Sequence, residues 1–462
     1  MPGEPSEPVA EPPPLAASAS AEAATAARPA IYPRGGPRPR ADTLERELGE
    51  GGGRALASAF ATLLALAISW SLLLRAGLLP LLTGAEGLLP LLEELLALLS
   101  CPEARRDVRA LLSLLLACGA CALAPLALAR AHAAGALTPA QMVATHFAGL
   151  GVLGGAAGAI LLGGHALAPV YGLGGGLILA VVALKLHSFV MTCVSAGGGA
   201  SSPPPSLHAY LYFLLAPTLT YEPGGYPRAA RVRPWYVAQK ALLLVACSAA
   251  TLAVVQELVL PVLTQPTPAG VLAARLPWLP PYALGSLGFM IDMARLAIPS
   301  LLVWLMGFFS FFVLYLNMVA ELLRFSDHRF YAAWWASKSL GSFWSRWNIP
   351  VHTWCERHLL IEAQVYLKLT RRGGVAITFL VSALLHEMLL GVAFRTVRPW
   401  FLIAMLLQIP LIHVSSLVSQ PRMGNALVWL SLWLGQPLLE LLYAREWVQQ
   451  GPHTAAHFFC LP

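Results

Sequence analysis

The chain has 462 residues, of which 57% are apolar and only 11% charged, with a formal net charge of +7. A water-soluble protein of this length needs roughly a quarter of its residues charged to cover its surface, so the composition excludes an ordinary soluble globule and makes lipid the main solvent. The modest positive charge is scattered along the loops, which suits membrane orientation and anionic headgroups or substrates rather than nucleic acid. No nucleic-acid motif, glycine-rich nucleotide loop or serine elbow occurs.

Residues 1–54 are rich in Pro and Ala and read as a disordered cytosolic tail. Their Glu4, Glu7, Glu11 and Glu22 argue against an organelle transit peptide. Long apolar runs then recur, and segments of about 20 residues place membrane spans near 55–74, 108–130, 143–163, 168–190, 237–263, 298–320, 372–394, 398–419 and 424–445. The expected fold is therefore all-α, a polytopic membrane protein of about nine transmembrane helices occupying 55–448, followed by a short lumenal tail at 449–462. The Gly-rich stretch 148–182 reads as one hairpin or a broken helix. Cys118 and Cys121 form a CxxC, but they sit in apolar sequence without a paired ligand set, so they read as small apolar residues and no metal is expected.

Loop charges give the orientation. Residues 321–372 hold Arg324, Arg329, Lys338, Arg346, Arg357, Lys368, Arg371 and Arg372, whereas the preceding loop, read as 264–297, holds only Arg275 and Arg295. The richer loop is expected in the cytosol, together with the N-terminus and the loop bearing Arg228, Arg231 and Arg233. Within the basic loop, 342–362 is amphipathic rather than apolar, with Pro350 starting or kinking a helix, and reads as an interfacial segment.

An ionisable side chain inside a span costs roughly 2.5–3.5 kcal/mol at the centre and therefore faces a protein interior or a wet cavity. His386, in "SALLHEMLLGVAF", can stay neutral, holding a proton on one ring nitrogen and accepting one on the other. Catalysis, an interhelical hydrogen bond and transport are all open readings at this point. Glu387 lies about 100° round the helix and is assigned a supporting role, paired with Arg395 or a polar residue of a neighbouring span. Gln408, His413, Asn425 and Gln436 add polar groups to the last spans, and the two glutamines read first as interhelical hydrogen-bonding residues. Gln436 is also placed to satisfy the carbonyl freed by Pro437. With His386 they outline a polar interior. A transporter would favour an internal repeat, and none is seen.

Five stretches carry a resemblance: "YFLLAPTLTYEPGGYPRAARVRP", "FYAAWWASKSLGSFWSRWNIPVHTWCERH", "LLHEMLLGVAFR", "AMLLQIPL" and "GNALVWLSLWLGQP". From about residue 180 to 448 the chain resembles the membrane-bound O-acyltransferases, in the branch that esterifies diacylglycerol from acyl-CoA; the related sterol enzymes carry valines in place of the Ile349–Pro350 pair. The resemblance implies His386 as the catalytic histidine. It implies Asn348, His352, Gln408 and Gln436 as groups positioning substrate or transition state; Glu387 stands beside them as a supporting group that tunes the chamber or orients a partner. It also implies acyl-CoA and diacylglycerol as partners, with acyl-CoA a co-substrate and no separate cofactor, in a homodimer or homotetramer of the endoplasmic reticulum membrane. Phe330, Tyr331, Trp334, Trp335, Arg346, Lys368, Arg371 and Arg372 are the candidates for acyl-CoA binding. One departure stands out: the family motif Phe-Tyr-any-Asp-Trp-Trp-Asn has Ala333 and Ala336 here in place of its aspartate and asparagine, which allows a weakly active homologue, while a sterol or long-chain alcohol acceptor would leave the histidine chemistry unchanged.

Overall fold

The computed structural model describes residues 102–163, 167–196, 205–265 and 267–449. These residues are helical almost throughout. The first span region is two helices, α1 (Pro102–Ala122) and α2 (Ala124–Ala133), broken where Pro125 enters the first turn of the second. Then come α3 (Pro139–Leu162) and α4 (Pro169–Ser195), so the Gly-rich stretch is a hairpin of two helices rather than one broken helix. The short α5 (Leu207–Leu215) follows. Its last carbonyls are gathered by the buried Lys185 of α4, whose Nζ donates to Phe213, Leu214 and Ala216 at 2.9, 2.8 and 2.6 Å. A cation at a helix C-terminus meets both the unsatisfied carbonyls and the negative end of the helix dipole.

Helix α6 (Pro234–Val254) passes through a π turn at Val255–Val259 into α7 (Leu260–Thr264). After the short α8 (Ala269–Arg275), α9 (Pro281–Phe308) continues through a π turn at Phe309–Tyr315 into α10 (Leu316–Leu322). The residues 281–297, expected in a loop with Arg295, are thus part of one 42-residue rod. Asp292, Arg295, Gly285 and Gly288 interrupt its apolar run and hid the helix from a hydropathy reading.

The basic loop contains α11 (Leu340–Trp347), α12 (Ile349–Cys355), a π turn at Glu356–Ile361 and α13 (Glu362–Tyr366). Pro350 sits in the first turn of α12, as expected, and none of these helices is long enough to span. The chain closes with α14 (Arg371–Phe394), α15 (Trp400–Ser416) and α16 (Pro421–Gln449).

Seven helices among the described residues are long and apolar enough to cross a membrane, rather than nine. The expected span 55–74 lies outside the described residues. The expected span 398–419 is a helix, but its 17 residues rise only about 25 Å against a hydrocarbon layer of about 30 Å. Cys118 and Cys121 are free thiols, the former packed in the core of α1–α5 as the apolar reading expects.

The loops after α5 and after α10 meet each other. Arg228 and Phe325 form an isolated β-bridge, Ala229 N donates to Arg324 O at 2.7 Å, and Arg233 pairs with the buried Glu321 at 3.0 Å. Two spans separate these loops, so their contact agrees with a common side of the membrane. Helix α14 packs on α15 and on α4, where Gly172 lets the backbones close: a Cβ there would stand 2.9 Å from the Ala393 Cα.

Candidate active site

His386 stands near the middle of α14, half-buried. Its Nδ1 lies 2.7 Å from the Ser382 carbonyl oxygen one turn earlier, an acceptor only, so Nδ1 carries the proton and Nε2 keeps its lone pair. The ring lies parallel to Phe401 of α15, with centroids 5.0 Å apart and planes at 4°. Most of α14, including His386, is half-buried between α4 and α15.

Glu387, the next residue, closes the start of α15. Its Oε2 accepts the Leu402 N–H at 2.9 Å, and its Oε1 accepts the Tyr443 hydroxyl of α16 at 2.6 Å. The same hydroxyl oxygen accepts the Phe401 N–H at 3.1 Å. Pro399, at the N-cap, supplies no side-chain cap, so Glu387 and Tyr443 satisfy two of the amides that a helix start leaves unpaired. The neighbouring-span partner expected for Glu387 is Tyr443.

Seven residues beyond Phe401, Gln408 accepts from the Trp344 indole of α11 at 3.4 Å. Asn348 is the N-cap of α12: its Oδ1 accepts the Val351 N–H at 3.2 Å, which leaves the amide NH2 as its remaining donor. His352 is exposed, and so is His413, which therefore does not join a polar interior within this chain. Gln436 is half-buried and makes no hydrogen bond to the described residues, so it does not repair the carbonyl freed by Pro437. Asn425 binds the loop instead, donating to the carbonyls of Trp335 and Ser337 at 2.8 and 2.9 Å.

The aromatic residues expected at an acyl-CoA surface are mostly core. Phe330, Tyr331 and Trp334 are each 1% exposed and pack with Phe308, Phe312 and Phe343. Trp335 is half-buried, and its carbonyl also accepts the Trp429 indole at 3.2 Å. Aromatic density next to cations describes an interfacial belt and a buried aromatic cluster equally well, so composition could not separate them. Ala333 is half-buried and Ala336 exposed, while Trp334 Nε1 and Ser337 Oγ beside them are buried without a hydrogen-bond partner. Arg346, Lys368, Arg371 and Arg372 are all exposed. Arg371 opens the helix whose sixteenth residue is His386, which puts the cationic end about 22 Å along the axis from the imidazole.

Residues 131–445 match the model of the membrane-bound O-acyltransferase family. The chain belongs to that family. Among its relatives in the family are proteins named diacylglycerol O-acyltransferase 1. The one from Chlorocebus aethiops is 33% identical over 68% of this chain and 66% of its own length. The Homo sapiens protein is 36% identical over 51% of this chain and 46% of its own length, and that of Dictyostelium discoideum 34% identical over 54% and 38%. The chain thus spans about half the length of most such relatives.

A second polar group lies apart from His386. His358, in the π turn, contacts Glu362 through Nδ1 and Ser188 through Nε2, both at 2.8 Å. His187 Nε2 stands 3.7 Å from the other Glu362 oxygen. Burial pushes the Glu362 carboxyl up, but the adjacent His187 and His358 rings outweigh it and hold it at about 2. Neither His187 nor Glu362 stands out in the sequence, and His358 reads there only as one more basic residue near the candidate CoA site. A cavity of about 210 Å³ bounded by Leu263, Thr267, Gly288, Phe289 and Arg445 lies at the far end of α16 and holds none of the expected site residues.

Proposed function

We propose that the protein transfers a fatty acyl group from acyl-CoA to diacylglycerol, forming triacylglycerol, with His386 as general base. The observation that supports this most is the tautomer: the Ser382 carbonyl holds the Nδ1 proton, so Nε2 is the basic atom. In this mechanism Nε2 takes the acceptor hydroxyl proton as the oxygen attacks the thioester carbon. The tetrahedral intermediate then expels the CoA thiolate, which receives the proton back from the imidazolium. The developing oxyanion needs a donor in a poorly solvated chamber, and the amide NH2 groups of Asn348, Gln408 and Gln436 are the candidates. Glu387 positions the histidine through α15 and Phe401. Arg346, Lys368, Arg371 and Arg372 suit the CoA phosphates, reached from the cytosolic side, in a homodimer or homotetramer of the endoplasmic reticulum membrane with a cytosolic N-terminus.

Purified protein supplied with labelled acyl-CoA and, separately, diacylglycerol, a sterol and a long-chain alcohol tests the acceptor. Diacylglycerol is expected to be esterified fastest, and His386→Ala to lower the rate about 100-fold or more while keeping the protein folded. Near-normal turnover in that variant would remove His386 from the mechanism. The two orphaned polar atoms beside Ala333 and Ala336 favour a second reading, a weakly active homologue, which slow turnover with all three acceptors would support.

A further inference from the structure

We propose that His187, His358 and Glu362 bind a divalent transition-metal ion of the zinc class, with His146 supplying the fourth contact directly or through one water. One ligating atom from each of the first three lies within 4.8 Å of the others. Tetrahedral zinc with bonds of about 2.0–2.1 Å holds its ligand atoms roughly 3.4 Å apart, and the imidazole–carboxylate separations, 2.8 Å from His358 to one Glu362 oxygen and 3.7 Å from His187 to the other, lie on either side of that value. Two imidazoles and a carboxylate make a borderline donor set that suits zinc better than magnesium or calcium.

His146 is an independent pointer to a ligand. It is 3% exposed, its Nε2 is buried without a hydrogen-bond partner, and its ring lies 5.6 Å from that of His187. A buried imidazole nitrogen with nothing to bond carries a desolvation cost, which a metal or its water would remove. The supporting shell is also in place. Ser188 Oγ, which accepts the Tyr221 N–H at 2.9 Å, can accept a proton from His358 Nε2, fixing the tautomer that leaves Nδ1 free to ligate. On metal entry the neutral His358 ring changes tautomer: Nδ1 releases the proton of the His358–Glu362 hydrogen bond and Nε2 takes one up to donate to Ser188 Oγ, so the ring still carries a single proton.

The four residues come from α3, α4, the π turn and α13, so the ion would tie the loop carrying Asn348 to two spans. That is a structural staple set apart from the proposed transfer chemistry, and it stands whether or not diacylglycerol is the acceptor.

The test uses full-length protein purified through a histidine-free affinity tag, stripped with a chelator, and titrated with zinc or cobalt. Expected results are one ion per chain by elemental analysis, visible cobalt absorption typical of tetrahedral coordination, and a zinc-dependent rise in melting temperature. Glu362→Gln, which keeps the side-chain shape, should weaken binding about tenfold or more, and Ser188→Ala about tenfold as loss of a supporting hydrogen bond does. Folded wild-type protein that takes up no stoichiometric ion, or that binds the same after Glu362→Gln and His187→Gln, would overturn the proposal and leave the cluster a hydrogen-bond network. Because the wild-type titration needs no variant to fold, the outcome is decided even if a substitution fails to express.

Discussion

Removing one hydroxyl, in Tyr443→Phe, tests how the candidate site is held. The hydroxyl donates to Glu387 and accepts from Phe401 N–H. The change therefore deletes two hydrogen bonds worth about 1 kcal/mol each and leaves an amide and a carboxyl oxygen partly unsatisfied, at about 1–3 kcal/mol per buried group. With two groups at that range, the structure implies a loss of about 2–6 kcal/mol from the packing of α14, α15 and α16. Phe401 lies in the loosened turn and stacks on His386, so the imidazole should also lose its fixed orientation. A loss of about 1.4 kcal/mol in transition-state stabilisation is a tenfold fall in rate, expected in kcat with little change in the KM for acyl-CoA. Thermal unfolding in detergent and initial acyl-transfer rates, measured for Tyr443→Phe, Glu387→Ala and the double variant, form a cycle. Coupling of at least about 1 kcal/mol is expected for residues in one network. Strictly additive losses, or a Tyr443→Phe protein with unchanged melting temperature and rate, would refute the clamp.

Gly424→Ala should cost about 1–3 kcal/mol, because its Cβ would overlap the Lys338 carbonyl oxygen where α16 meets the loop; faster proteolysis of the loop checks it, and unchanged cleavage counts against that packing. Restoring Ala333→Asp with Ala336→Asn should raise acyl-CoA use more than it alters acceptor preference, and should rescue nothing in a His386→Ala background, as rate curves against acyl-CoA concentration will show. Burial pushes the Cys355 thiol from 9.0 up to about 12. The folded protein keeps that proton where an unfolded chain loses it, so the stabilisation is whole below pH 9 and lost as pH rises toward 12. Iodoacetamide should therefore spare Cys355 at pH 8–9 until the protein is denatured, and rapid labelling of the native state, read by mass spectrometry, would contradict this.

Eight of the nine expected spans fall on helices, because a run of hydrocarbon side chains long enough to cross a bilayer has few other uses. The last helices, with His386 and Glu387 on α14, follow from the same pattern. What stayed hidden depends on contacts between distant stretches. His187 and His358 are separated by 171 positions and meet only because α12 and the π turn lie against α4, where Trp354 Nε1 donates to Leu184 O at 2.9 Å. Lys185 caps the C-terminus of α5, which no local sequence pattern announces. Phe330, Tyr331 and Trp334 were read by composition, which records aromatic character and not which way a ring points.

The rod 281–322 has a further implication for the bilayer itself. Its 42 residues extend about 63 Å, and even a tilt of about 40°, the upper end for membrane helices, projects it over roughly 48 Å against about 30 Å of hydrocarbon. The apolar part, 298–320, is the section that matches the oily layer. The section before it, with Asp292 bonded by Thr267, Arg295 and Arg445, then overhangs the headgroups, where an ionic cluster costs far less than at mid-membrane. The protein should accordingly stand proud of the membrane on that face, and lipids around the rod should thicken or lean to follow it.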